Sequence, residues 1–176
     1  MTAPSGQFLP GPGTGTGRST FEVAFDLKEE APNWPPVPVE RLWGEKTAVE
    51  FEMRLLNVPF FARGVAYGDL VHVRPDQDRR ELVFERLNGE SGHSTLRITV
   101  LDQRAGREVQ ARLRAAGCSW ETAAQFSSLL AVDVPADGDY RALRDWLVAR
   151  RGAGTIEFQE SAISARHLEQ VPDFPA

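Results

Sequence analysis

The sequence predicts an α+β protein: a small antiparallel β barrel-like half followed by a ferredoxin-like βαββαβ plait. Three observations carry that expectation. Between residues 21 and 87 apolar and polar residues alternate in short segments, the period of half-buried strands. Over 105–116 and 140–151 the apolar residues recur every three or four positions instead, as on an amphipathic helix. From residue 94 onward the order is strand, helix, strand, strand, helix, strand, the signature of a ferredoxin-like plait.

The elements follow in order. Residues 1–19 are rich in Gly, Pro, Thr and Ser and are expected to form a disordered tail, with too little apolar surface to offset ordering entropy. The run Gly11–Gly17 lacks a preceding strand, a following helix and a P-loop lysine, so it is not a phosphate loop. Phe21, Val23, Phe25 and Leu27 mark the first strand. Prolines at 32, 35, 36 and 38 make 31–38 an extended linker. Val39–Trp43 is a short strand, and in 48–55 Phe51, Met53 and Leu55 share one face. Leu70–Arg74 and Glu81–Leu87 are joined by the polar turn Asp76-Gln77-Asp78. Strands this short with loops this close suggest a small barrel or strongly bent sheet.

In the second half, Leu96, Ile98 and Val100 line one side of the strand 94–101. Ala105, Val109, Leu113 and Ala116 share a helix face that ends at Gly117. Strands are expected over 119–123 and 129–134. Asp139 is a fair N-cap for a helix burying Leu143, Trp146 and Leu147 and stopping at Gly152; a strand over 155–160 follows. The expected divisions are a barrel-like half at 20–92, a plait at 93–166 and a C-terminal tail at 167–176. If Leu96, Ile98 and Val100 face the helices, Thr95, Arg97 and Thr99 face away. Arg97 would then lie on the open face of the sheet between Asp133 and Glu157, in an ion-pair network or a binding face.

The 176 residues carry 20 Lys+Arg against 25 Asp+Glu, a formal charge of −5, which argues against a dedicated nucleic-acid binder. The strand 129–134 has no stacking aromatic, which argues against RNA recognition as well. One cysteine excludes an internal disulfide framework and a Cys-rich zinc module. No apolar run approaches the roughly 18 residues of a membrane helix, and the start lacks the pattern of a secretion signal. No cofactor is expected. His72, His93 and His167 are far apart and no His-Glu-x-x-His is present, so no metal is expected either. Cys118 has no visible base or electropositive partner and reads as buried filler. Gly89-Glu90-Ser91-Gly92-His93 lacks the last glycine of a nucleophile elbow.

Leu55–Val73 reads LLNVPFFARGVAYGDLVHV; with Leu42-Trp43, Ser91–Arg97 and Ala131–Pro135 it resembles a bacterial family known as domain of unknown function 4265. The resemblance spans about residues 39–160. It implies a bacterial, cytoplasmic protein and supplies no mechanism. Within those motifs Asn57 is a turn former, Phe60 and Phe61 would point into opposite layers, and Asp69 could bond the amides of its turn.

The loop Ser91-Gly92-His93-Ser94 is the best candidate for chemistry: hydroxyls and an imidazole where the second half begins. Two function classes follow. One is a non-catalytic binding or regulatory module. It would recognise a protein partner or small polar ligand in the cleft between the halves, through Asn57, Asp69, Ser91, His93, Ser94 and Arg97. The other is a small hydrolase or transferase with His93 as general acid/base, Arg97 as anion clamp, and Asp69 or Glu121 as the orienting carboxylate. The enzyme requires His93, a carboxylate and a hydroxyl in one cleft.

Overall fold

The computed structural model describes residues 19–172. The glycine-rich run 11–17, the expected N-terminal tail up to residue 18 and the last four residues of the expected C-terminal tail lie outside them. Mostly antiparallel strands form two sheets, with helices against the second, an α+β arrangement. The first sheet comprises β1 (Thr20–Asp26), β2 (Val39–Lys46), β3 (Glu52–Leu55), β4 (Leu70–Asp76) and β5 (Glu81–Gly89). Neighbours pair antiparallel, and the ring closes through two parallel pairs, Val23 with Leu82 and Ala24 with Val83. Inward residues of alternate positions, among them Val23, Leu42, Met53, Val71 and Val73, fill the barrel. A Cβ on Gly44 would sit 3.3 Å from that of Met53 and 3.4 Å from Val23, so glycine lets three strands converge there.

The second sheet holds β6 (Ser94–Val100), β7 (Ser119–Ala123), β8 (Phe126–Val134) and β9 (Ile156–Ala162) in the order β7-β8-β6-β9, all neighbours antiparallel. Helices α1 (Gly106–Ala115) and α2 (Tyr140–Gly152) connect β6 to β7 and β8 to β9. They bury Val109, Leu113, Leu143 and Leu147 against Leu96, Ile98, Leu130, Val132 and Ile156. The Asp139 carboxylate accepts from the Ala142 amide at 2.9 Å and caps α2. Gly117, at φ +72°, turns the chain after α1.

A third cluster joins the two sheets. Val58, Phe60 and Phe61 of the β3–β4 connection pack with Leu129 and Ala131 of β8, and Trp34, Val37 and Phe126 close around them. Phe60 and Phe61 therefore enter the same cluster, their rings 6.1 Å apart, rather than opposite layers. The reason is that the connection is a loop rather than a strand, so consecutive side chains do not alternate. The proline-rich linker is docked too: Trp34 meets Phe61 edge-to-face at 5.4 Å.

Three further expectations are corrected. Phe51 does not share the buried face of Met53 and Leu55. It is 44% exposed and ends the β2–β3 turn at φ 57°, because Thr47 and Glu52 close the hairpin one residue later, backbone to backbone and hydroxyl to carboxylate. Arg97 is opposite Ala131 and Gln159, while Asp133 lies opposite Thr95 and Glu157 opposite Thr99. Each carboxylate is thus two residues out of register with Arg97, toward opposite ends of β6, and the face is covered by the β3–β4 connection where Arg97 stands. Finally, the first residue of the expected tail at 167–176 is not loose: α3 (Ala165–Leu168) seats His167 fully buried beneath Tyr140.

Candidate functional site

The junction between the sheets is built on buried carboxylates. Glu40 is 1% exposed on β2, at the same inward parity as Leu42 and Gly44. One of its oxygens accepts from the Phe60 amide at 2.7 Å; the other accepts from Phe61 at 2.9 Å and Ala62 at 2.7 Å. Burial raises its pKa, opposed by those amides and by the nearby Arg97 charge. Asp69 does the same for the next turn. Its oxygens accept from the Ala66 and Ser91 amides, each at 2.8 Å, and burial raises its pKa against those two bonds. Asn57 Oδ1 accepts from the Trp43 amide at 2.8 Å, so it ties the loop to β2 rather than bonding its own turn. Glu121 reaches the Val58 amide at 3.4 Å, its pKa raised chiefly by burial.

The loop 90–93 lies against two other loops because glycines permit it. A Cβ on Gly68 (φ +79°) would sit 3.1 Å from that of Ser91, and one on Gly92 (φ +88°) 3.0 Å from that of Ala136. The Ser91 hydroxyl donates to the Tyr67 carbonyl at 2.7 Å and accepts from the His93 amide at 3.2 Å. The His93 ring is half-buried, 5.4 Å from that of Tyr67. Its Nδ1 is 2.8 Å from Asp133 Oδ1; its Nε2 has no partner among the described residues. Burial raises the Asp133 pKa, while the bond to His93 lowers it.

Ser94 is fully buried. Its hydroxyl lies 2.6 Å from His167 Nδ1, and His167 Nε2 lies 3.1 Å from the Pro135 carbonyl. A neutral imidazole satisfies both contacts, donating from Nε2 and accepting at Nδ1. Desolvation lowers the His167 pKa. This serine–histidine pair is sealed from any substrate, and nothing local in the sequence marks it, because the expected tail begins at 167.

Arg97 is 3% exposed. It donates to the Gln159 side chain at 2.8 Å and to the Phe61 carbonyl, and stands 3.6 Å from Glu30. Burial lowers its pKa, opposed first by Glu30. Beside it a cavity of about 150 Å³ opens between the linker and the second sheet, lined by Trp34, Arg97, Thr99, Leu129, Glu157 and Gln159 among others. A shallower groove of about 460 Å³ follows the prolines of 35–38. Neither is lined by His93.

The expected site residues therefore divide. Asn57, Asp69 and Glu121 hold backbone amides, Ser94 is bound to His167, and Ser91 shapes its own loop. The carboxylate on His93 is Asp133, since Asp69 and Glu121 are engaged by the backbone. Arg97 is not on hand as an anion clamp for His93: four residues of extended strand separate them by about 13 Å, and its head is covered. Glu40 and Trp34 were missed. The parity of Glu40 with Leu42 was a readable signal; for Trp34 none existed in a proline-rich linker.

Burial pushes the Cys118 thiol up to about 12, so it is no thiolate nucleophile near neutrality. Among the described residues no three His, Cys, Asp or Glu are placed to hold a metal. No helix among them is long and apolar enough to cross a membrane.

Together these features define a two-sheet α+β protein whose junction loops hang from buried carboxylates. The chain belongs to the family described as domain of unknown function DUF4265, whose model matches residues 40–158. It is also similar to a solved structure titled a novel crystal structure of a hypothetical protein from Neisseria gonorrhoeae. The TM-score is 0.65 at 17% identity, over 85% of this chain and 98% of that one, a likeness of fold alone. A search of curated proteins found no match.

Proposed function

We propose that this chain is a non-catalytic binding module of the bacterial cytoplasm that takes a small polar ligand between a barrel-like half (20–92) and a ferredoxin-like plait (93–166). The carrying observation is the cavity of about 150 Å³ at that boundary, walled by Trp34 of one half and floored by Thr99, Glu157 and Gln159 of the other. Concave sites with an apolar wall and a few convergent polar groups are where small ligands bind. The engagement of Asn57, Asp69, Ser94 and Glu121 with backbone and His167 also favours binding over catalysis, because among the described residues no nucleophile stands free beside a base.

The test is a two-dimensional NMR titration of the full chain with pooled small metabolites. A binder is expected to shift the Trp34 indole and Gln159 side-chain amide signals saturably, and Trp34→Ala is expected to abolish the effect. Saturable shifts confined to His93 and Tyr67 would overturn this reading.

A second reading, a small hydrolase or transferase, is favoured by the 2.8 Å contact of His93 with Asp133. A carboxylate at Nδ1 fixes the tautomer and leaves Nε2 to move a proton. Turnover of nitrophenyl ester or phosphate substrates that disappears in His93→Gln would establish it.

A further inference from the structure

We infer that the cavity beside Trp34 takes a small organic ammonium ion rather than an anion. The inference rests on the binding reading above and names the charge of its ligand.

The conspicuous cation there is Arg97, and it would invite an anion if its donors were open. They are not. One terminal nitrogen is bound to Gln159 and faces Glu30, and the other is bound to the Phe61 carbonyl. The Nε has no partner, yet it is enclosed by protein, so a molecule in the cavity cannot reach it. Glu30 stands 3.6 Å from the guanidinium and offsets its positive charge in part, the same oxygen standing 3.6 Å from Arg63 as well.

What the cavity leaves open is of the other sign. Glu157 is exposed on β9 and has no hydrogen bond or ion pair among the described residues. The Thr99 hydroxyl, opposite it across the β6–β9 pair, is likewise without a partner among them. Trp34, held edge-to-face by Phe61, forms the wall. An indole is the best aromatic partner for a cation, and a carboxylate beside it supplies the counter-charge. With Leu129 and Phe158 completing the lining, this suits an alkylated ammonium head. A volume of about 150 Å³ limits the occupant to a few heavy atoms.

The probe is tetramethylammonium chloride, titrated into the full chain and followed by NMR at the Trp34 indole and Gln159 amide. Sodium acetate at equal ionic strength is the second arm. The expected result is saturable shifts with tetramethylammonium and none with acetate, and a Kd raised at least about fivefold in Glu157→Gln, since charge pairing and cation–π attraction act together. Glu157 is exposed, so the variant keeps its fold.

Acetate shifting the same signals while tetramethylammonium does not would overturn the ammonium assignment and leave the small-ligand reading standing. Silence in both arms, with the metabolite pools silent too, would overturn both. Equal tetramethylammonium affinity in Glu157→Gln would remove the carboxylate from the site and with it this inference.

Discussion

His167 is a buried titratable group with its two ring nitrogens bound to the Ser94 hydroxyl and the Pro135 carbonyl. Desolvation holds its folded pKa below the 6.5 of an exposed histidine. A depressed pKa means the unfolded chain binds the proton more readily, so stability rises with pH across the window between the two values. The contribution is complete above about 6.5 and is lost as pH falls from there through the folded value. Glu40, Asp69, Glu121 and Asp133 are shifted the opposite way, upward; they favour the folded state at low pH and lose that contribution as pH rises. The histidine effect is therefore read as a difference. Denaturant unfolding of wild type and His167→Gln at several pH values is expected to show the wild type losing more stability below pH 6.5. Parallel curves would contradict it.

At the scale of an element, the β3–β4 connection is held open by one side chain. Glu40 satisfies three consecutive amides that no strand or helix pairs. A glutamine there offers one acceptor oxygen and turns an N–H toward donors, so at least one buried amide is stranded at about 1–3 kcal/mol. Glu40→Gln is thus expected to lower the denaturation midpoint by that amount and to speed hydrogen exchange at Phe60–Ala62. Unchanged exchange there would show that the carboxylate does not hold the loop. The same element shows what a sequence can convey. Alternation located its flanking strands, because a half-buried strand writes its parity into residue type. The loop was legible as a motif but not as a conformation, since nothing local said which carboxylate its amides would meet. Arg97 failed similarly: its face was readable from Leu96 and Ile98, its neighbours were not, because alternation fixes the face of a strand but not which residues of the next strand stand opposite.

On the scale of the whole molecule, the shared cluster around Phe61 makes the two sheets one thermodynamic unit. Phe61 is 1% exposed and touches Trp34 and Phe126 as well as Phe60. Removing its ring creates a cavity at the junction worth about 3–5 kcal/mol. Wild type is expected to unfold in a single calorimetric transition with coincident far- and near-ultraviolet circular dichroism curves. Phe61→Ala is expected to melt at lower temperature, and a wild type that melts in two steps would mean the sheets are energetically separate.

The barrel ring, finally, is closed by only two residue pairs between β1 and β5, whereas β1 is zipped to β2 along its entire length. Under a pulling force that short parallel join is the thinnest part of the ladder, bridged besides by the Phe25–Phe84 stack and by the Arg79–Asp26 and Arg41–Glu81 ion pairs. The β3–β4 connection is anchored to the second sheet, because the chain from Val58 to Val65 is fastened to it through Ser161, Thr95 and Glu121. A flap of β1 and β2 therefore leaves only after Glu40 lets go of the Phe60–Ala62 amides and Trp34 parts from Phe61, so the junction rather than the short join sets the force at which the ring opens.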